Sequence, residues 1–190
     1  MAHLILGLGN PGPPYADTRH NVGFRVVEEL ARRRGLPLDH LECNARVARS
    51  VSGDGDLLLA QPQTYMNRSG FAARCLLESH QLDPAALLVV YDEINLPLGR
   101  LRLRKSGSPA GHRGIESVIE NLRTDQVPRL RLGVAPEAGP PAGEDWADFV
   151  LGPFTADEQE AVAAMILRAA DACETWLKEG VEAAMNRFNG

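Results

Sequence analysis

The sequence predicts a single α/β domain over residues 1–190, a mixed, twisted β-sheet flanked by helices on both faces. Three observations predict it. Apolar runs of strand length alternate with segments whose apolar residues keep helical spacing. One pair of adjacent strands reads as a hairpin, which makes the sheet mixed. No internal repeat or linker divides the chain, and 190 residues suit one core better than two.

Taken in order, Leu4-Ile5-Leu6 is a short buried strand that runs into Gly7-Leu8-Gly9-Asn10-Pro11-Gly12-Pro13-Pro14, a shaped loop rich in Gly and Pro. Phe24, Val27, Leu30 and Ala31 give residues 21–34 a helical period, with Asn21 as candidate N-cap and Gly35 as the stop. Residues 45–51 and 56–61 form the hairpin strands around Ser52-Gly53-Asp54-Gly55, and residues 67–80 form a helix. Leu87-Leu88-Val89-Val90-Tyr91 is continuously apolar and therefore a central strand. A basic strand at 101–104 leads to a small-residue loop at 106–111, and Ile115, Val118, Ile119 and Leu122 mark the next helix. Residues 129–134 alternate charged and apolar side chains, as a half-buried strand does, and 138–143 is a Gly/Pro/Ala loop. A long helix runs from Thr155 to about Lys178, opened by a capping box of Thr155 and Glu158, and Gly180 sets off a short final helix.

With 44% hydrophobic and 24% charged residues the chain reads as an ordinary globular protein, and no apolar run is long enough to span a bilayer. The start lacks the basic region and cleavage site of a signal peptide. Cys43, Cys75 and Cys173 are odd in number and far apart, which predicts neither a disulfide framework nor a C-x-x-C pair. Together these features predict a reduced, cytoplasmic protein. The net charge of −5 argues against a nucleic-acid partner, but the charge is unevenly spread. Residues 137–190 hold 11 acids against 3 bases, whereas residues 1–136 carry a net +3. Arg100, Arg102, Arg104 and Lys105 crowd into six residues, and such a local stripe can bind phosphate on an acidic protein. The same stripe is also what a solvated strand edge looks like.

Gly7-x-Gly9-x-x-Gly12 after a strand matches the dinucleotide-binding fingerprint only in outline. That fingerprint opens a helix within the glycine run, and here Pro11, Pro13 and Pro14 break the chain first. Its carboxylate should end a second strand, whereas Glu28 and Glu29 lie inside a predicted helix. Nucleotide binding through this loop is set aside.

Four loop segments carry the chemistry: Gly7-Leu8-Gly9-Asn10-Pro11-Gly12, Tyr15-Ala16-Asp17-Thr18-Arg19-His20-Asn21, Pro62-Gln63-Thr64-Tyr65-Met66-Asn67-Arg68-Ser69-Gly70 and Asp92-Glu93-Ile94-Asn95-Leu96-Pro97-Leu98-Gly99. They supply one imidazole, one strand-end carboxylate and two carboxamides. That set can hydrolyse an ester without metal, cofactor or covalent intermediate: His20 as general base on water, Asp92 fixing its tautomer, Asn10 and Asn67 orienting substrate or binding the oxyanion. No G-x-S-x-G elbow offers a serine nucleophile, and no short His or Cys spacing supports a metal site.

These segments resemble the bacterial peptidyl-tRNA hydrolase patterns G-L-G-N-P-G, Y-x-x-T-R-H-N-x-G, P-x-T-x-M-N-x-S-G and D-[DE]-x-[DN]-L-P-x-G. Residues 102–114, ending Gly111-His112-Arg113-Gly114, are similar to the family's basic strand and G-G-H-N-G loop. Arg129-Leu130-Arg131-Leu132-Gly133-Val134 and Val150-Leu151-Gly152-Pro153-Phe154 complete a set that stands in the family's order over residues 4–154. The resemblance implies hydrolysis of the ester between peptide and tRNA, recycling tRNA from stalled translation and sparing aminoacyl-tRNA with its charged free amine. It implies His20 as base and Asp92 as its partner, with Asn10 and Asn67 in the site. Tyr15 and Met66 then shape the site, Lys105 and Arg131 grip tRNA phosphate, and His112 and Arg113 belong to the substrate-binding segment. It implies a monomer with peptidyl-tRNA as partner and neither metal nor membrane. Two departures stand out. Arg113 replaces the family's asparagine and has donors only, which leaves open any role that needs an acceptor. Ala110 replaces a glycine beside a stiffening Pro109. A non-catalytic tRNA binder and a small-molecule esterase are the other readings; turnover separates the first, and indifference to the tRNA body the second.

Overall fold

The computed structural model describes residues 2–52, 55–140 and 146–190 of the chain. Seven strands form one mixed sheet in the order β2-β3-β4-β1-β5-β7-β6. These are β1 (His3–Gly7), β2 (His40–Glu42), β3 (Ala45–Ser52), β4 (Gly55–Pro62), β5 (Leu87–Pro97), β6 (Leu101–Arg104) and β7 (Arg129–Ala135). β4, β1, β5 and β7 run parallel, while β2, β3 and β6 pair antiparallel with their neighbours. The apolar run at 87–91 lies inside the sheet between β1 and β7, as its composition predicts.

Side-chain alternation along the strands builds two cores. Ile5, Leu88 and Val90 face α1 (Val22–Arg33), α5 (Gln159–Glu179) and α6 (Val181–Phe188). Leu4, Leu6, Val89 and Tyr91 face α2 (Ser69–Ser79) and α3 (Arg113–Leu122). Strands buried on both sides must be apolar throughout, and this is why β5 reads as a continuous run. The capping box of Thr155 and Glu158 opens the segment that becomes α5, and Gly180 ends it at φ +87°.

One close approach sets the geometry of the working end. A Cβ on Gly23 would lie 2.3 Å from the Val90 carbonyl oxygen, and one on Gly7 would lie 2.2 Å from the Gly23 carbonyl oxygen. Glycine at both positions lets α1 start directly against the carboxyl end of β1 and the body of β5. His20, two residues before α1, is thereby held over Asp92, which lies inside β5 and not at a strand end as the sequence suggests, because the strand runs on to Pro97.

Three expectations change. β7 is buried almost throughout rather than half-buried, because Arg129 folds into the interior: its guanidinium donates to Val127 O at 3.1 Å, Gly107 O at 2.8 Å, Ser108 O at 3.3 Å and Asp125 O at 2.9 Å. A short helix, α4 (Trp146–Val150), is present where the sequence reading gives no element. The third concerns the cysteines. Cys43 and Cys75 are joined by a disulfide across 32 residues, since the tight turn between β2 and β3 brings Cys43 over α2. Cys43 and Asn44 both have positive φ, the backbone a two-residue hairpin turn requires. Cysteine usage therefore does not argue for a reducing compartment; Cys173 alone is free, and its burial pushes its thiol pKa up. No helix among the described residues is long and apolar enough to cross a membrane. The predicted turn at Gly53-Asp54 and the end of the loop at 138–143 lie outside the described residues.

Closing a loop of this length removes about 3–4 kcal/mol of unfolded-state entropy in the chain-entropy treatment. Cys75→Ser is expected to lower the unfolding free energy by about 2–4 kcal/mol in oxidising buffer. Urea melts with and without reductant check it: variant and reduced wild type should coincide, and coincidence of all curves removes the disulfide from the stability of the protein.

Candidate active site

The loops after β1 and β4 and the middle of β5 meet the start of α3 and α4 around a pocket of about 540 Å³. Asn10, His20, Met66, Asn67, Asp92, His112 and Arg113 line it, together with Tyr65, Glu93 and Ile94. Trp146, Ala147, Val150 and Leu151 of the α4 segment form an apolar wall. An apolar lining with a few convergent polar groups is typical of small-ligand and substrate sites.

At the base, His20 Nδ1 lies 2.9 Å from each oxygen of Asp92. Asp92 is 2% exposed, and its Oδ1 also lies 2.9 Å from His112 Nε2. Burial by itself would raise the Asp92 pKa, but the two imidazoles outweigh it and hold the carboxyl well below the usual carboxylate range. An ionised carboxylate only accepts, so His20 donates from Nδ1 and keeps the Nε2 lone pair for the pocket. For His20, burial lowers the pKa, yet the Asp92 charge and hydrogen bond together raise it above the ordinary 6.5.

His112 has a second task. It is the N-cap of α3, its Nδ1 accepting from the amides of Gly114 at 3.1 Å and Ile115 at 3.3 Å. Nδ1 therefore carries no proton, and Nε2 must. His20, Asp92 and His112 offer ligand atoms within 4.8 Å of one another. A metal at His112 Nε2 would drive the proton onto Nδ1, against two amide donors, so these hydrogen bonds favour a dyad with a second histidine behind it over a metal site.

Asn10 is fixed from both sides. Its Oδ1 accepts from Met66 N at 2.8 Å, which leaves Nδ2 as a donor for the pocket. Asn21 holds its backbone, accepting from Asn10 N and donating to Asn10 O, both at 2.9 Å. Asn21 is thus no side-chain cap for α1, contrary to the sequence-based expectation; a carboxamide that clamps a distant loop looks the same in sequence as one that caps a helix. Asn67 is exposed on the rim with no hydrogen-bond partner among the described residues.

The remaining expected residues spread outward. Met66 is buried beneath the floor, and Tyr15 reaches the pocket only through Tyr65, ring centroids 6.3 Å apart and edge to face. Lys105 is exposed, lies outside the lining and pairs with Glu182 of α6. Arg131 also lies outside the lining; its Nη1 is 3.4 Å from Glu93, and its buried Nε has no partner among the described residues.

Sequence reasoning missed Arg19 as a structural clamp. Its Nη1 donates to Pro153 O, its Nη2 to Glu158 at 2.8 Å, and its guanidinium lies 4.3 Å from the Phe149 ring. Thr18 bridges Pro153, and the Arg19 amide donates to Gly152 O, so the segment that carries His20 is tied to the α4 wall. The spacing of Trp146, Phe149 and Val150 was the available signal for α4.

The family described as peptidyl-tRNA hydrolase matches residues 4–190. A peptidyl-tRNA hydrolase of Synechococcus sp. (strain JA-3-3Ab) is 50% identical over 187 residues, covering 98% of this chain and 82% of its own length. One from Chloroflexus aurantiacus is 47% identical, covering 98% of both chains. The crystal structure of peptidyl-tRNA hydrolase from Acinetobacter baumannii superposes with a TM-score of 0.91 at 34% identity, over 100% of this chain and 95% of the other.

Proposed function

Since this chain belongs to the peptidyl-tRNA hydrolase family, we propose that it frees peptide from peptidyl-tRNA with His20 as general base on water and Asp92 as its orienting carboxylate. In this reading His20 Nε2 takes a proton as the water oxygen attacks the ester carbonyl. Asn10 Nδ2 and Asn67 then donate to the oxyanion, each worth up to about 2.7–4 kcal/mol for a well-placed donor. Collapse breaks the bond to the ribose oxygen, and the His20 imidazolium returns the proton to that leaving group. Asp92 stabilises the imidazolium between the two transfers. The products are a peptide with a free carboxylate and a tRNA returned from stalled or aborted translation.

The observation that carries the proposal is the pair of 2.9 Å contacts from His20 Nδ1 to a buried, ionised Asp92, which leave Nε2 open to the pocket. The outer residues suit the tRNA end. Arg131 is part-exposed beside Glu93, Lys105 is exposed and can exchange Glu182 for phosphate, Tyr15 supports Tyr65 at the rim, and Met66 packs beneath the floor. His112 and Arg113 complete the wall the substrate meets.

The test is turnover. The purified protein should release N-acetyl-amino acid from tRNA, with chelator and without. Because the active base is neutral, activity is lost as pH falls through a raised His20 pKa. The acid limb of kcat/KM should therefore lie above 6.5. No release of the acylated residue, or an acid limb below the ordinary imidazole value, overturns the proposal.

A further inference from the structure

Besides the Tyr65 phenol, five titratable or charged side chains are among the described residues that line the pocket: His20, Asp92, Glu93, His112 and Arg113. Four are committed to each other or to neighbours. Asp92 accepts from both imidazoles, while Glu93 accepts from Asn95 N and Asn95 Nδ2 at 3.0 Å and faces Arg131. Arg113 is exposed and, among the described residues, has no hydrogen bond or ion pair. It is also the first residue of α3, so its charge adds to the positive end of a ten-residue helix. Among the described lining residues both carboxylates have hydrogen-bond partners and one cation has none.

We propose that Arg113 is a specificity-determining residue: its charge at the pocket wall disfavours substrates with a protonated α-amine and so separates aminoacyl-tRNA from N-acylated peptidyl-tRNA. The inference rests on the ester-hydrolase reading above. The α-nitrogen is two bonds from the carbonyl carbon under attack. Any pose that sets this carbonyl between His20 and Asn10 therefore puts the nitrogen inside the pocket. As an ammonium it meets, among the described residues, only carboxylates already engaged by His20, His112, Asn95 and Arg131, and it feels the guanidinium. As an amide it is neutral, and the adjoining acyl oxygen is an acceptor that a donor-only side chain can serve. One side chain thus repels one substrate and holds the other, the usual way specificity is built from both signs of interaction. An asparagine at this position could do only the second.

The test compares kcat/KM for N-acetyl-aminoacyl-tRNA with that for the same aminoacyl-tRNA bearing a free amine, spontaneous hydrolysis subtracted. Arg113→Gln should lower this ratio about three- to thirtyfold, the Coulomb effect of one partly screened charge several ångströms away. Arg113→Glu should lower it further, and Arg113→Lys should retain it. In the wild type the ratio should fall as pH rises from about 6.5 to 9, because α-amines lose their proton near pH 8. The fall should shrink in Arg113→Gln; titration of His20 acts on both substrates and cancels. Equal loss of both activities in Arg113→Gln would mark the residue as a phosphate contact and overturn the inference, as would an unchanged ratio. A wild type that cleaves neither substrate defeats the hydrolase reading, whereas cleavage of the acylated substrate with an unchanged ratio defeats this inference alone.

Discussion

His20→Ala is expected to lower kcat/KM for peptide release by about 10²–10⁴-fold, the range that positioned acid–base catalysis supplies. The effect should fall on turnover rather than binding, because the imidazole acts by moving protons in the chemical steps. The fold should survive. His20 sits in a short 3-10 turn between the Thr18–Pro153 bridge and α1, and both of these are held by other residues. Its removal leaves Asp92 with His112 as partner at 2.9 Å, so the buried carboxylate does not become an orphan. Removing a base also removes its titration: the residual rate should lose the acid limb seen in the wild type. Single-turnover release from N-acetyl-aminoacyl-tRNA, with circular dichroism as the fold control, checks both parts. A well-folded variant with activity within about threefold of wild type would take His20 out of the reaction.

How far the sequence reaches is clearest at individual residues. β5 is legible because a strand buried on both faces has no choice but to be apolar, and the end of its apolar run is legible because Asp92 breaks it. The loops that bear Asn10, His20 and Asn67 are legible because each carries its polar residue at a strand end or helix start, where periodicity stops. What periodicity cannot carry is pairing between distant segments. Asn21 and Arg19 look like a helix cap and a surface cation, yet one clamps Asn10 and the other ties the His20 turn to the α4 wall. Arg129 looks like the exposed half of an alternating strand, but each of its three nitrogens finds a backbone carbonyl, which makes full burial tolerable. Cys43 and Cys75 meet only because a two-residue turn and a helix happen to face each other. His112 reads in sequence as a substrate contact; its two hydrogen-bonding nitrogens give it a structural and an electrostatic task that sequence cannot separate.

That double task makes the outcome of Asp92→Asn specific. The wild-type carboxylate accepts from two imidazoles at once. An asparagine side chain presents one acceptor and one donor to the same two rings. His112 cannot change tautomer without turning a proton toward the amides of Gly114 and Ile115, so it claims the new carboxamide oxygen. The amide nitrogen is left facing His20 Nδ1, which must then accept, and the proton moves to His20 Nε2. This is the nitrogen that has to be bare to take a proton from water. The expected loss is therefore large, about 10²–10⁴-fold in kcat, comparable with the cost of inverting a catalytic tautomer in a hydrolase triad. Loss of the Asp92 charge also removes what raises the His20 pKa, so any residual acid limb should move to lower pH. A double-mutant cycle isolates the mechanism. With His112→Ala in place, the carboxamide of Asp92→Asn is free to turn its oxygen to His20. The cost of Asp92→Asn should then shrink by about tenfold or more, a coupling of roughly 1.4 kcal/mol. Equal costs in both backgrounds would mean that His112 does not dictate the tautomer of His20, and that Asp92 acts through its charge alone.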